Sequence, residues 1–340
     1  MIKPVSIGVI GCGDVAMERH LPAIAANPDV VLVAACDSDI GRAERTGNQF
    51  GARYSTTEST KVLLDPAIDA VMIATPPWVT PALTIEAIRS GKDVLAEKPM
   101  AMKREIAREV VAAEAASDRF VQIGFVMRHG TMFGTLRKWI AEDRLGSPLS
   151  LRVGIFDEIH DPLGNPEHYH RIMTTLEHGA PCVHDGAHTM DHLHYLLGEH
   201  ATQIASWGQT TRTEFPAPNY NVAQIDFASG HRARVEIGWF MPGFPRGEWD
   251  IIGPRGVASF LQDEGRVVMT TDQGVETVSL EGEDWFVSCF RHQLASFVDG
   301  IRSRNPTGPR SADGYASLCL CQEFEAGMAV PFALRDVSYV

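Results

Sequence analysis

The sequence has no Cys-x-x-Cys pair, no apolar run long enough to cross a bilayer, no excess of positive charge, and no repeat or low-complexity tract. Each absence excludes a class of protein. The six cysteines (Cys12, Cys36, Cys182, Cys289, Cys319 and Cys321) are scattered, so they read as reduced, small buried residues and not as a disulfide frame. Thirty Lys and Arg against 43 Asp and Glu leave a net charge of −13, which argues against a nucleic-acid or anionic-membrane partner. No stretch reaches membrane-spanning length. The N-terminus carries one lysine and then a strand, without the apolar segment and cleavage site of a signal peptide, so a cytoplasmic protein is expected. At 340 residues the chain has room for two domains, each with its own core.

What is present begins with the apolar run Val5 to Ile10, a buried strand by composition. It leads into Gly11-Cys12-Gly13-Asp14-Val15-Ala16, a Gly-x-Gly-x-x-Ala loop. The first glycine permits a tight turn, the second lets backbone touch a pyrophosphate, and the small third residue lets a helix pack close to the strand. The helix expected from Val15 to Ala26 would present its N-terminus to phosphates. The next strand, Val30 to Cys36, ends in Asp37, 21 residues after Ala16, where an adenine-ribose partner belongs. A carboxylate there accepts ribose hydroxyls and repels a 2′-phosphate, so NAD is favoured over NADP. Gly11, Cys12, Gly13, Asp14, Val15 and Ala16 are therefore candidate cofactor contacts, joined by Asp37 and Ser38.

Strands and helices then alternate. Ala70 to Ala74 reads as a buried strand that ends in Thr75-Pro76-Pro77-Trp78, a stiff loop placed to cover the cofactor through Ala74, Thr75, Pro76 and Trp78. The helix Ala82 to Ser90 stops at Gly91, and the short strand Val94 to Ala96 ends abruptly in Glu97-Lys98-Pro99. Proline cannot continue the ladder, so Glu97 and Lys98 should stand on a rigid turn at a carboxyl strand end, where open parallel sheets bind ligands. A solvated surface turn is the plainer alternative. The helix Lys103 to Ala116 and the strand Phe120 to Gly124 complete a doubly wound parallel sheet of about six strands, so residues 1–124 are expected to form a Rossmann domain.

From Leu149 the period changes to alternation, as in Leu149, Leu151, Val153 and Ile155. Further short strands run to Leu280. Residues 125–340 are expected to form an α+β domain with an open, mostly antiparallel sheet, one face on helices and the other available to a second subunit. Phe286, Phe290, Leu294, Phe297 and Ile301 recur at helical spacing and read as a core face. Ser311 is placed to cap a last helix. Nine histidines fall between His160 and His200, and His184, His188 and His192 are spaced by four, so one helix would align them. Three readings of that row stand side by side. The histidines are acid–base groups, or they hold a divalent metal with a carboxylate, or they are ordinary polar residues.

In order and spacing these pieces resemble the glucose–fructose oxidoreductase / inositol dehydrogenase (Gfo/Idh/MocA) family. The matching residues are Gly11-Cys12-Gly13 with Ala16, Asp37, Ala74-Thr75-Pro76-Pro77, Gly91-Lys92, Glu97-Lys98-Pro99, Gly124-Phe125 with Arg128, and Gly186-Ala187-His188-Thr189-Met190-Asp191. Ile252 to Gly256 and Phe290 to Ile301 look similar too. The resemblance implies an NAD(P)-binding domain and hydride transfer between nicotinamide and a sugar, cyclitol or related polyol, in a homodimer or homotetramer. It also implies a frequently cis Lys98-Pro99 bond. His188 would take the hydroxyl proton without a metal, and Lys98 would steady the same oxygen. Arg128, Tyr169 and Asp185 would contact substrate. An NAD-containing or metal-dependent lyase or hydrolase, and a non-catalytic dinucleotide sensor, are the competing functions. Two positions depart from the family pattern. Thr80 stands where a His is usual. His184 occupies the place of an Asp four residues before the active-site His, and the nearest acid is Asp185. On an ideal helix Asp185 lies about 100° away, so it fills that role only if the helix starts after it.

Overall fold

The computed structural model describes residues 3–243, 248–280 and 282–329; the end of the expected second domain, residues 330–340, lies outside the described residues. Two compact units form: Met1–Lys138 with Val278–Leu318, and Trp139–Thr277 with the described residues from Cys319. The helix Trp285–Ser303 therefore belongs with the first unit, although it follows the second sheet in sequence.

The first unit is built on β1 (Val5–Ile10), whose six residues are all buried. A wide helical turn over Ala16–His20 runs into α1 (Leu21–Ala26). There follow β2 (Val30–Cys36), α2 (Ile40–Phe50), β3 (Tyr54–Thr56), α3 (Ser59–Leu64), β4 (Ala70–Ile73), α4 (Thr80–Arg89), β5 (Asp93–Ala96), α5 (Arg104–Ala115), β6 (Val121–Ile123) and α6 (Thr131–Ala141). The sheet order is β3-β2-β1-β4-β5-β6, and every ladder in it is parallel. The chain leaves β1 toward β2 on one side and returns to β4 on the other. The reversal therefore falls between β1 and β4, the crevice where such sheets bind ligands. The inner strands β1, β2 and β4 are rich in buried Val, Ile and Leu, as expected where helices cover both faces of a parallel sheet.

Local chemistry sets the helix ends. Asp39 caps α2 by accepting from the amides of Gly41 and Arg42, and Gly51 closes the helix with a left-handed backbone. Gly91 adopts the same left-handed conformation after α4. Lys92 is buried, and its ammonium donates to the carbonyls of Asp65 and Ile68 at 2.7 and 2.6 Å. Burial pulls its pKa below the usual lysine value. The family's Gly91-Lys92 thus pins β5 to the loop after α3.

In the second unit β7 (Ser150–Ile159) is followed by α7 (Pro166–Glu177), α8 (Pro181–His184) and α9 (Gly186–Leu197). The strands β8 (Ala201–Gln209), β9 (Tyr220–Phe227), β10 (Arg232–Met241), β11 (Glu248–Gly253), β12 (Gly256–Leu261), β13 (Arg266–Thr271) and β14 (Gly274–Ser279) complete an eight-stranded sheet. Its order is β14-β13-β12-β11-β7-β10-β9-β8. The central β7–β10 ladder is parallel and the ladders flanking it are antiparallel, so the sheet is mixed and mostly antiparallel.

The two last helices are α10 (Trp285–Ser303) and α11 (Ser311–Gly327). Asp284 caps α10, and the Phe290, Leu294 and Phe297 stripe is buried as its spacing implies. Ser311, expected as a cap, stands in the first turn of α11 with its hydroxyl on the Glu114 carboxylate.

Candidate active site

Five backbone segments end side by side along the carboxyl edge of the parallel sheet. The Gly11 amide donates to Cys36 O, the Ala74 amide to Ile10 O, the Glu97 amide to Ile73 O, and the Gly124 amide to Ala96 O. This ladder of exits aligns the glycine loop, Asp37, the Ala74–Trp78 loop, Glu97-Lys98 and Gly124.

The glycine loop combines a tight turn with an open backbone. Gly11 has φ +95°, and a Cβ there would lie 2.3 Å from Ala74 O, so only glycine fits the turn. A Cβ on Gly13 would meet no atom within 4 Å. That backbone is bare on its outer side, which is what close approach of a phosphate requires. Ala16 is fully buried, letting the helix lie close to the sheet, while Asp14 and Val15 are exposed at the loop rim. Asp37 is buried, and its two oxygens accept from the Cys12 amide at 2.8 Å and the Asp39 amide at 2.9 Å. The loop and the acid thus hold each other in place, with Ser38 exposed beside them. Burial pushes the Cys36 thiol up to about 11 and raises Cys12 as well, so both thiols stay protonated and unreactive.

Thr80, at the first departure from the family pattern, is buried and braces the next loop. Its hydroxyl reaches Thr75 Oγ1 at 2.9 Å and donates to the carbonyls of Thr75 and Pro76 at 3.0 and 3.2 Å. Trp78 is 41% exposed at the outer end of that loop.

Glu97 and Lys98 stand directly after β5, and the Lys98-Pro99 bond is cis, as the family resemblance implies. Glu97 Oε2 accepts from the Lys98 amide at 3.0 Å, and Oε1 lies 2.7 Å from Nε2 of His20. Sequence reasoning missed His20. The structure shows it buried a single turn after Ala16, while Met17, Glu18 and Arg19 between them are not buried. Arg128, expected at substrate, pairs with Asp313 at 3.0 Å and lies over the Phe125 ring.

In the second unit the helix breaks where His184 meets Asp185. The Asp185 amide still donates back to Pro181 O, but α9 starts afresh at Gly186, a poor residue for a helix interior. The single helix expected through all three histidines therefore forms only in part. His188 and His192 share α9 with their rings stacked 5.8 Å apart, and His184 ends α8 with its ring against Trp239 at 5.5 Å. Asp185 Oδ2 accepts from the Trp239 indole at 2.5 Å. Gly186 brings α9 close to β10, where a Cβ would meet Ile237 Cδ1 at 3.3 Å, and Asn221 Oδ1 takes the Cys182 amide of α8 at 3.0 Å. The His-bearing helices are thus anchored to the sheet at both points.

Tyr169, on α7, packs against Phe240 and His160 over a buried cluster of Leu176, Phe215, Trp239 and Phe240. Several of the remaining histidines are tied into local structure, while His170 is exposed. His168 bonds Glu158 and lies 2.7 Å from an Arg171 nitrogen, and His194 rests edge-on against His200. Among the described residues, no three His, Cys, Asp or Glu side chains converge as metal ligands.

Comparison with known proteins places these features in a lineage. Residues 5–125 match the oxidoreductase family with an NAD-binding Rossmann fold, and residues 133–259 match the GFO/IDH/MocA C-terminal domain. Inositol 2-dehydrogenase 3 of Saccharopolyspora erythraea is 26% identical over 98% of this chain and 96% of its own length. Inositol 2-dehydrogenase of Burkholderia lata is 27% identical over 92% of this chain and 90% of its own. Among solved structures, myo-inositol 2-dehydrogenase from Lactobacillus plantarum superposes with TM-score 0.83 at 23% identity, covering 96% of this chain and 98% of that one. An oxidoreductase from Agrobacterium radiobacter, solved with NAD+, L-tartaric acid and magnesium, gives 0.82 at 19% identity, with 96% and 97% covered. At these identities the structures speak for the fold.

Proposed function

This chain belongs to the Gfo/Idh/MocA oxidoreductase family, and on that premise we propose that it is an NAD-dependent dehydrogenase of a cyclitol, sugar or related polyol. The observation that carries the reading is the shared strand edge that holds the bare Gly13 backbone, the buried Asp37 carboxylate and Lys98. The inositol dehydrogenases among its relatives support a cyclitol as first choice of substrate.

The residues present fit NAD. Gly11 to Ala16 would hold the diphosphate through backbone amides, with the helical turn after Ala16 directing its N-terminus there. Asp37 and Ser38 would hold the adenine ribose. Ala74, Thr75, Pro76 and Trp78 would border the nicotinamide half, with Glu97 and Lys98 at its end. When bound, NAD supplies the hydride acceptor for the substrate carbinol carbon. Everything else falls to side chains. Lys98 donates to the carbinol oxygen and offsets the alkoxide charge that develops there. His188 takes the hydroxyl proton. His184, four residues before it, contacts substrate or passes the proton onward, while Asp185, Arg128 and Tyr169 contribute to substrate binding.

We read the protein as a cytoplasmic homodimer or homotetramer that needs no metal. The outer side chains Trp207, Val257 and Val275 of the second sheet supply apolar area for self-association. Among the described residues, no helix is long and apolar enough to cross a membrane. The deciding experiment is a steady-state screen of the purified protein with NAD and NADP against inositols, sugars and sugar alcohols. Reduction of NAD by a polyol supports the reading. Metal-dependent turnover without net NAD reduction would move it to a lyase or hydrolase, and tight NAD binding without any turnover to a sensor.

A further inference from the structure

Glu97 is fixed on three sides. Its Oε2 accepts from the Lys98 amide at 3.0 Å, and its Oε1 meets His20 Nε2 at 2.7 Å. On the third side is Gly124, where an added Cβ would lie 3.0 Å from the carboxyl carbon and both oxygens. A carboxylate only accepts, so the proton of this contact belongs to Nε2, and His20 is the donor. The imidazole is itself held. It is 4% exposed, lies on the buried side of the wide turn beside Ala16, and meets the Phe290 ring edge-on at 5.0 Å. Phe286 packs edge-on against Phe290 in turn. The turn that carries His20 is the one place where this helix widens, with the Leu21 amide donating to Ala16 O. Such insertions into helices recur at functional sites. A buried His and a nearly buried acid, 77 residues apart in sequence, give the core nothing that an apolar pair would not give more cheaply.

We infer that His20 is a positioning residue for Lys98, acting through the Glu97 carboxylate. The imidazole holds Oε1, which leaves Oε2 for the Lys98 amide, so the lysine backbone is aimed from inside the sheet edge. Gly124 is bare because any side chain there would push the carboxylate away. The inference rests on the role given above to Lys98, and the test separates the two.

Three variants are compared with the unmodified protein: His20→Ala, His20→Gln, whose amide N–H reaches nearly to the place of Nε2, and Gly124→Ala, which disturbs the carboxylate from the opposite side. Steady-state rates with NAD and the best polyol of the screen are measured. In parallel, lysines are reductively methylated with 13C-formaldehyde and the Lys98 resonance, assigned with Lys98→Arg, is followed by NMR. His20→Ala and Gly124→Ala should each lower kcat by about 10- to 100-fold, the usual result of a small misplacement of a catalytic group. The KM for NAD should change less than about threefold, the Lys98 resonance should move in both, and His20→Gln should recover most of the loss. Two results overturn the proposal. One is an unmoved Lys98 resonance with near-normal kcat in His20→Ala. The other is joint loss of kcat, NAD binding and melting temperature in His20→Ala that His20→Gln does not repair. If the unmodified protein oxidises no polyol, the functional reading fails, and the Lys98 resonance still decides the role of His20.

Discussion

The Trp239 indole donates to the Asp185 carboxylate at 2.5 Å while its ring lies against His184 at 5.5 Å. One side chain on β10 therefore fixes both residues around the point where this chain departs from the family pattern. Asp185 links α8 to α9 and keeps a right-handed helical backbone, so the ideal-helix argument that turns it about 100° from the family's Asp position still applies. The carboxylate is engaged by the indole, and His184 keeps the position four residues before His188.

This arrangement orders a series of variants. His184→Ala should lower kcat by about 10²-fold or less, a typical size for lost acid–base assistance, and His188→Ala and Lys98→Ala should cost more. Trp239→Phe should stay within about tenfold of normal, because it removes one hydrogen bond and keeps the packing, and Asp185→Asn, which loses the charge but keeps an oxygen that accepts from the indole, should cost no more. Steady-state kinetics with cofactor affinity measured alongside decide this. A greater loss in Asp185→Asn than in His184→Ala would place the carboxylate role on Asp185, and near-normal turnover in His188→Ala would sink the arrangement.

Cofactor choice turns on Asp37. Both oxygens already accept backbone amides, from Cys12 and Asp39, so the acid stays oriented toward the loop. NAD should bind more tightly than NADP, and Asp37→Ala should narrow the gap while costing about 1–3 kcal/mol of stability, because two amides lose their acceptor. Fluorescence titration with NADH and NADPH measures the first effect and denaturant unfolding the second. Equal or tighter NADPH binding by the unmodified protein would falsify the role of Asp37.

The contrast between what the sequence displays and what it hides is physical. The limits of β1 and β2 are legible because an unbroken apolar run and a Gly-rich turn are local signals. The glycine loop and the Glu97-Lys98-Pro99 turn are legible for the same reason. The parallel pairing of β7 with β10 is not, since alternation reports which face is buried and says nothing about strand direction. Nor is the His20–Glu97 contact, nor the Trp239–Asp185 bond across 54 residues, because each joins positions with no shared periodicity. The four-residue spacing of His184, His188 and His192 predicts one helix, and the one-residue interruption at Asp185 that divides it into α8 and α9 has no counterpart in that spacing.

Acid sensitivity should trace to His129, in the turn after Gly124-Phe125. Burial, then the nearby charges of Arg128 and His292, pulls its pKa from 6.5 down to about 4. Above pH 6.5 neither folded nor unfolded His129 carries a proton, and nothing is lost. Between pH 6.5 and 4 the unfolded chain binds the proton and the folded one does not, so stability falls as pH falls. At about 1.4 kcal/mol per pH unit, the loss by pH 4.5 is roughly 2–3 kcal/mol. His129→Gln should flatten that part of the curve. Urea unfolding of both proteins at pH 7.5 and 4.5 tests it, and parallel curves would remove His129 as the cause.

The two loop glycines should separate folding from cofactor binding. Gly11 has a left-handed backbone and no room, with a Cβ placed 2.3 Å from the Ala74 carbonyl oxygen. Gly11→Ala must strain the turn and push β1 from β4, so it should cost at least about 2 kcal/mol of stability whether or not NAD is present. Gly13 has an ordinary backbone, and a Cβ there meets nothing within 4 Å. Gly13→Ala should therefore leave unfolding within about 0.5 kcal/mol of the unmodified protein. Its methyl group would occupy the space a pyrophosphate needs, so NAD should bind about tenfold or more weakly. Denaturant unfolding and NADH titration on the same two preparations make the comparison. Full NAD affinity in Gly13→Ala would mean that the diphosphate does not lie against this loop, and the assignment of Gly11 to Ala16 would have to be given up.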